Sequence, residues 1–281
     1  MRRRDRWLEW LKGISKRRIM PLPYGQFWHE FLIFGVKQAW ACLFAATLIA
    51  AILTTYLWYP KSAPVTRYDF LFIIAVFIQI ALLALKFESW DEAKVIAIYH
   101  VVGTVMEVFK TAKGSWIYPE ANLIRIAGVP LLSGFMYSTI GSYIARCWRL
   151  FDFRFSNYPD PRLTYLLAIA IYANFFTHHY IMDFRWVIFA ATAFLFRRTW
   201  IYFTCDEIPR RMPLLAGFFL VSIFIWLAEN IGTFSAIWLY PHQMKGTWTP
   251  VGIGKFGSWY LLMIISFVLV AIIRKPRAPQ T

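Results

Sequence analysis

The chain has 281 residues, 59% of them hydrophobic and 16% charged, with a mean hydropathy of +0.50, which excludes a soluble globular protein of ordinary composition. Apolar runs of about 18 residues or more recur along almost its whole length, enough for a hydrocarbon core of roughly 30 Å, and leave no polar stretch for a separate soluble domain. The net charge of +15 reads as the cationic bias of a membrane protein's inner loops; no basic groove or RNA-reading motif accompanies it, so a nucleic-acid partner is not expected.

Residues 1–30 form a basic amphipathic segment. Trp7, Trp10, Leu11 and Ile14 fall on one helical face, with Arg3, Arg4, Arg6, Lys12 and Lys16 around them. That pattern suits a helix lying on the anionic inner leaflet; a disordered basic tail is the alternative. A short apolar core with a small-residue cleavage site is missing, so a cleavable signal peptide is not expected. Beyond it the apolar runs predict helices over 35–59, 69–88, 93–110, 122–147, 161–182, 184–204, 212–231 and 254–273. Pro, Gly or charge marks the breaks, as at Tyr59-Pro60-Lys61 and Tyr158-Pro159-Asp160-Pro161. Within 122–147, Gly128-Val129-Pro130 predicts a kink, and Gly134, Ser138 and Gly141 a small-residue packing face. The expected fold is all-α, a polytopic bundle of about eight transmembrane helices.

Charge tests the topology independently. With the N-terminus inside, about 21 Lys and Arg residues, Arg2, Arg3 and Arg4 among them, fall in inner segments and about 8, including Lys61 and Lys245, in outer ones. The expectation is an inner-membrane protein with both termini, including the tail 276–281, in the cytoplasm.

An internal echo runs through the chain. Glu107, Thr111, Trp116, Tyr118 and Pro119 recur at the same spacing as Glu229, Thr233, Trp238, Tyr240 and Pro241. Upstream, Asp69-Phe70 precedes a helix ending at Asp91-Glu92, as Asp183-Phe184 precedes one ending at Asp206-Glu207. This predicts a duplication, with four-helix repeats over 31–150 and 151–275. An even helix number gives both copies one orientation, as in parallel-repeat transporters.

Glu107 and Glu229 then lie at equivalent depths near the outer ends of the third and seventh helices. Ionisable residues in apolar segments are costly and usually face the bundle interior. If the repeats pack face to face, the two carboxylates approach one cavity as an acid beside a base, with Lys110 and Asn230 adjacent as further catalytic candidates. The alternative is that they cap helix ends or pair with Lys110 and Lys255. Candidate substrate-binding residues are Trp116, Tyr118, Trp238 and Tyr240, whose faces stabilise cations, with His100, His178 and Lys255. An aromatic belt at the bilayer interface is the competing reading for the aromatic residues. Adjacent His178 and His179 diverge by about 100° on a helix, so no metal site is expected. Cys42, Cys147 and Cys205 are scattered structural thiols. The chain has no P-loop, GxSxG, HExxH or post-strand GxGxxG, and nothing in it identifies a cofactor.

The segments Gly103-Thr104-Val105-Met106-Glu107, Gly114-Ser115-Trp116-Ile117-Tyr118-Pro119-Glu120 and Gly128-Val129-Pro130-Leu131, with Glu229-Asn230-Ile231-Gly232-Thr233 and Lys255-Phe256-Gly257-Ser258-Trp259-Tyr260, resemble the YoaT-like family. That uncharacterised bacterial membrane family carries a domain of unknown function, so the resemblance implies a membrane location and no activity. Residues 103–131 alone are similar to a stretch of membrane carotenoid hydratases, which add water across a terminal isoprenoid double bond. That likeness implies protonation or water activation by Glu107 and shielding of a carbocation by Trp116 and Tyr118. Lys110 and Trp116 depart from it, and the copy around Glu229 has no counterpart in it. The function expected is therefore a membrane enzyme acting on a lipid or isoprenoid by acid–base chemistry. A secondary transporter using the same glutamates, or a non-catalytic assembly factor, is the alternative.

Overall fold

The computed structural model describes residues 6–244 and 246–279, with Arg6 by its backbone alone. Arg2, Arg3, Arg4, Lys245, Gln280 and Thr281, which entered the charge and tail expectations, lie outside the described residues. Ten α-helices dominate what is described. After α1 (Arg6–Arg18) come α2 (Gly25–Ala41) and α3 (Leu43–Trp58), then α4 (Arg67–Ala84) and α5 (Trp90–Ala112). Next are α6 (Leu132–Leu150), α7 (Pro161–Thr177), α8 (Arg185–Phe196), α9 (Leu214–Phe234) and α10 (Phe256–Arg274).

Local chemistry explains the helix starts. Thr66 caps α4 by accepting from the Asp69 N–H. Ser89 and Glu92 form a capping box on α5, and Asp160 followed by Pro161 opens α7. The run predicted as one helix over 35–59 is two, α2 and α3, meeting at a 64° bend. At the junction Cys42 has ψ 0°, which turns the chain out of the helical path.

Two predicted helices shorten because parts of them form strands. In 122–147, Arg125–Ile126 (β1) and Val129–Pro130 (β2) make a small hairpin. Its turn residues Ala127 and Gly128 both have positive φ, 50° and 83°, as a tight hairpin turn requires. Gly128-Val129-Pro130 is therefore a turn ahead of α6, not a kink within it. In 184–204, the helix ends at Phe196, and Trp200–Thr204 (β4) pairs with Arg154–Ser156 (β3) and Pro209–Pro213 (β5) in an antiparallel sheet. Trp200, Ile201, Tyr202, Phe203 and Thr204 are aromatic or β-branched, side chains that suit a pleated surface. The chain is mostly helical, not all-α.

Four helical segments are long and apolar enough to cross a membrane: Arg67–Ala84, Trp90–Ala112, Leu214–Phe234 and Ile253–Arg274. The bent pair Gly25–Ala41 and Leu43–Trp58 makes a fifth if counted as one span. Each of the eight predicted segments contains a helix, but among the described residues α6, α7 and α8 do not qualify as crossings by length and composition.

Helix α6 is central, packing on α2, α3, α4, α5 and α10. Its small-residue face permits the close approach to α5: a Cβ at Gly134 would stand 2.6 Å from the His100 ring. Helix α10 is buried continuously from Leu261 to Val268, as expected of a helix apolar all round. On one end of the bundle, buried ion pairs lock the helices. Arg146 donates to Glu88 at 2.7 Å with both side chains fully buried, and Glu92 accepts from Arg149 at 2.8 Å and Arg274 at 3.1 Å.

Helix α1 docks on the same chain through Asp206, which follows β4. Lys12 and Lys16 reach the Asp206 carboxylate at 3.1 and 3.0 Å. Buried His29 links Asp206 at 3.1 Å to Ser15 at 2.8 Å, and Trp7 packs on Trp40. Burial alone would raise the Asp206 carboxyl, but hydrogen bonds from Lys16, His29 and Lys12 outweigh it and hold it well below the usual range. A depressed carboxyl contributes fully above its ordinary value of about 3.9 and loses that contribution as pH falls towards the folded value. Docking of α1 is accordingly expected to weaken below about pH 4. Asp206→Asn is expected to reproduce that at neutral pH, raising amide hydrogen exchange over residues 6–18 about tenfold. Unchanged protection in the variant would mean that apolar packing alone holds the helix.

Candidate functional site

The echoed glutamates sit near corresponding ends of α5 and α9, both almost fully buried. The loop after each returns a tyrosine to its own glutamate, eleven residues on. Tyr118 donates to Glu107 Oε2 at 2.5 Å, and Tyr240 donates to Glu229 Oε1. Burial, then the neighbouring glutamate charge, push both phenols well above their ordinary values, so each remains a proton donor in its hydrogen bond. The two loops pair with one another. The N–H of Ile117 meets the Leu239 carbonyl at 2.9 Å and the reverse bond is also 2.9 Å, an antiparallel bridge between the residues ten beyond each glutamate.

The two carboxylates differ in what they hold. Glu107 Oε2 also accepts from Trp116 Nε1 at 2.7 Å, and Oε1 from Tyr137 of α6 at 2.7 Å. Three donors converge on it, an arrangement that suits a fixed acceptor. Glu229 Oε2 is buried and has no hydrogen-bond partner among the described residues. Trp238, at the position corresponding to Trp116, lies near enough to act on Glu229 but does not complete a hydrogen bond. Lys110 follows Glu107 by three residues, whereas Gly232 follows Glu229. The Trp238 ring settles over Gly232, where a Cβ would stand 2.2 Å from it.

Both glutamates line one cavity of about 970 Å³, together with Trp116, Tyr118, Trp238, Tyr240, Lys110, His178 and Lys255. His100 and Asn230 are not among its lining residues. His100 lies two turns before Glu107, where the α5–α6 seam closes at Gly134, and its ring packs on Phe135. Asn230 accepts from the Val251 N–H at 2.8 Å and donates to the Trp226 carbonyl at 2.8 Å, fastening a loop to α9. His178 and His179 do not diverge, because α7 ends at Thr177 and both lie in a turn. Their Nε2 atoms converge on Lys110 Nζ at 3.1 and 2.8 Å. No cluster of three or more metal-ligating side chains occurs among the described residues.

Tyr137, Trp259 and Arg185 were missed as site residues. Tyr137 and Trp259 had a signal, since each stands thirty residues beyond its glutamate. Trp259 lines the cavity with its indole Nε1 buried and unpartnered, at the position corresponding to the Tyr137 donor.

This asymmetry predicts unequal tolerance. Glu107→Gln turns acceptor capacity towards three donors into an amide N–H₂ at one position, and is expected to cost about 1–3 kcal/mol. Glu229→Gln replaces an oxygen without a partner and is expected to lower the melting temperature less. Equal losses in thermal unfolding would show that the two carboxylates carry the same structural load.

Comparison with known proteins identifies a family and adds no activity. Residues 30–267 match a family model described as a protein of unknown function (DUF817). The uncharacterised protein YoaT of Bacillus subtilis (strain 168) is 42% identical over 246 residues, covering 88% of this chain and 92% of that protein. No solved structure matches. With a family model spanning most of its length and a relative this similar along nearly all of its own, the chain belongs to the DUF817 family.

Proposed function

We propose that this protein is an inner-membrane enzyme acting on a lipid or isoprenoid by acid–base chemistry, with Glu229 as the proton-transfer group and Glu107 as a fixed hydrogen-bond acceptor. The observation that carries the reading is one buried oxygen, Glu229 Oε2, left unpartnered beside a large apolar cavity that Glu107 also lines. A free carboxyl oxygen in hydrogen-bond reach of a bound molecule is the first requirement of a general acid or base. For a hydratase-like reaction, protonated Glu229 gives its proton to one carbon of a C=C bond. Water then adds to the resulting cation and returns a proton to the Glu229 carboxylate, so that the product is the alkene plus water. The faces of Trp116 and Trp238 shield the cationic carbon.

The cavity belongs, in this reading, to the interface of two parallel four-helix repeats, 31–150 and 151–275. Support comes from the equal +11 tyrosine bonds and from the bridge between Ile117 and Leu239. The cationic bias of the inner segments supports cytoplasmic termini.

Comparative lipid mass spectrometry tests the proposal on membranes lacking the protein, overproducing it, or carrying Glu229→Gln. A lipid or isoprenoid species that gains one water with wild type and not with the variant is expected. An unchanged profile across all three, with the variant abundant and folded, overturns enzyme chemistry. It would favour the transporter reading, to which the paired loops also lend themselves, and proton-coupled uptake would then be measured.

A further inference from the structure

Lys110, in the last turn of α5, is buried, and its ammonium meets no carboxylate within ion-pair distance among the described residues. Its partners are the two imidazole Nε2 atoms and the Phe175 ring, 4.4 Å away. His178 Nδ1 faces the Asn174 carbonyl at 2.8 Å, so that nitrogen carries the hydrogen and Nε2 offers Lys110 a neutral lone pair. Arg185 and Lys255 line the same cavity and act on Lys110 as like charges. Arg185 is engaged by Asp183 at 2.7 Å. Lys255 stands over the Tyr240 ring at 4.6 Å and feels the Glu229 charge. A buried ammonium in contact only with neutral rings, repelled by two cations and attracted by Asp183 only beyond ion-pair distance, is costly until an anion joins it. Away from this corner the cavity wall is apolar, with Leu48, Ile49, Leu220, Phe224 and Leu262 along it.

We propose that Lys110, held in place by His178 and His179, and Lys255 bind the anionic headgroup, phosphate or carboxylate, of an amphiphile whose tail lies along that apolar wall. The proposal rests on reading the cavity as a lipid or isoprenoid site and names the class of molecule it takes. An anchored headgroup fixes how far down its tail the Glu229 oxygen reaches, which is how a simple acid selects one bond in a repetitive chain.

The full chain in phosphatidylcholine nanodiscs is titrated with dodecyl phosphate, dodecanol and inorganic phosphate, and read by native mass spectrometry. Dodecyl phosphate is expected to bind about tenfold more tightly than dodecanol. Lys110→Gln and, independently, Lys255→Gln are expected to erase most of that preference, whereas Lys110→Arg keeps it. Equal affinity for dodecyl phosphate and dodecanol, or a preference untouched by both Gln variants, overturns the proposal. Inorganic phosphate binding as tightly as dodecyl phosphate overturns the amphiphile and assigns the corner to a free anion. The two readings fail separately. Charge-dependent dodecyl phosphate binding beside an unchanged lipid profile removes the enzyme and keeps the headgroup site. Glu229-dependent lipid conversion without a headgroup preference does the reverse.

Discussion

Glu229→Gln is expected to reduce lipid or isoprenoid conversion by about 10²–10⁴-fold, the usual contribution of a positioned acid or base, while leaving the protein folded. The amide has the carboxyl group's shape and can still accept from Tyr240 through its remaining oxygen. It cannot carry the proton at the Oε2 position, which has no partner among the described residues to compensate. Glu107→Gln provides the contrast. Its carboxylate is held by Trp116, Tyr118 and Tyr137, so lost activity there should come with lost thermal stability. Steady-state conversion and melting temperature are measured on both variants in the same nanodiscs. Full activity in Glu229→Gln would remove Glu229 from the chemistry.

The largest expected loss of stability lies at the opposite end of the bundle. Glu88→Ala should cost roughly 3–5 kcal/mol, the range for breaking a buried ion pair by removing one partner. Arg146 is fully buried and donates to Glu88 Oε1 at 2.7 Å and to the Trp40 carbonyl at 3.2 Å. Glu88 also accepts from Ser142 at 3.0 Å and from Gln79 at 2.6 Å. Its removal strands a guanidinium with one carbonyl partner and takes from α6 one of its ties to the turn between α4 and α5. Pairing Glu88→Ala with Arg146→Met should recover much of the loss, because the uncompensated charge goes with the second change. Thermal unfolding of the single and double variants decides this. A double variant no more stable than Glu88→Ala would show that the cost is lost packing, not a stranded charge.

The helical core of the bundle was legible because long apolar runs have few alternatives in a membrane. Legible too were the paired glutamates with their trailing Trp and Tyr, since identical spacing survives whatever the loops do. The strands were not. Trp200 to Thr204 is as apolar as the helix before it, and a short apolar run does not distinguish strand from helix by periodicity. Gly128 and Pro130 fit a kink as well as a turn, and only the positive φ at Ala127 and Gly128 separates the two. Treating His178 and His179 as helical separated two rings that the turn after Thr177 brings together. His100 was misplaced for the opposite reason. Its position on the helix follows from spacing, but where a neighbouring helix seals the cavity depends on tertiary packing. Tyr137 stands at the thirty-residue interval shared with Trp259, but a phenol inside an apolar helix is uncharged and lies outside the Glu-Thr-Trp-Tyr-Pro echo.

The bridge between Ile117 and Leu239 ties together the two loops that close the carboxylate pockets. Tyr118 and Tyr240, which hold the glutamates, each sit one residue beyond a bridge position. A ligand that pulls Tyr240 off Glu229 strains the bridge and, through it, the grip of Tyr118 on Glu107. Thermodynamic reciprocity requires the influence to be equal in both directions. Any coupling between the two pockets would have its shortest route through those two backbone hydrogen bonds.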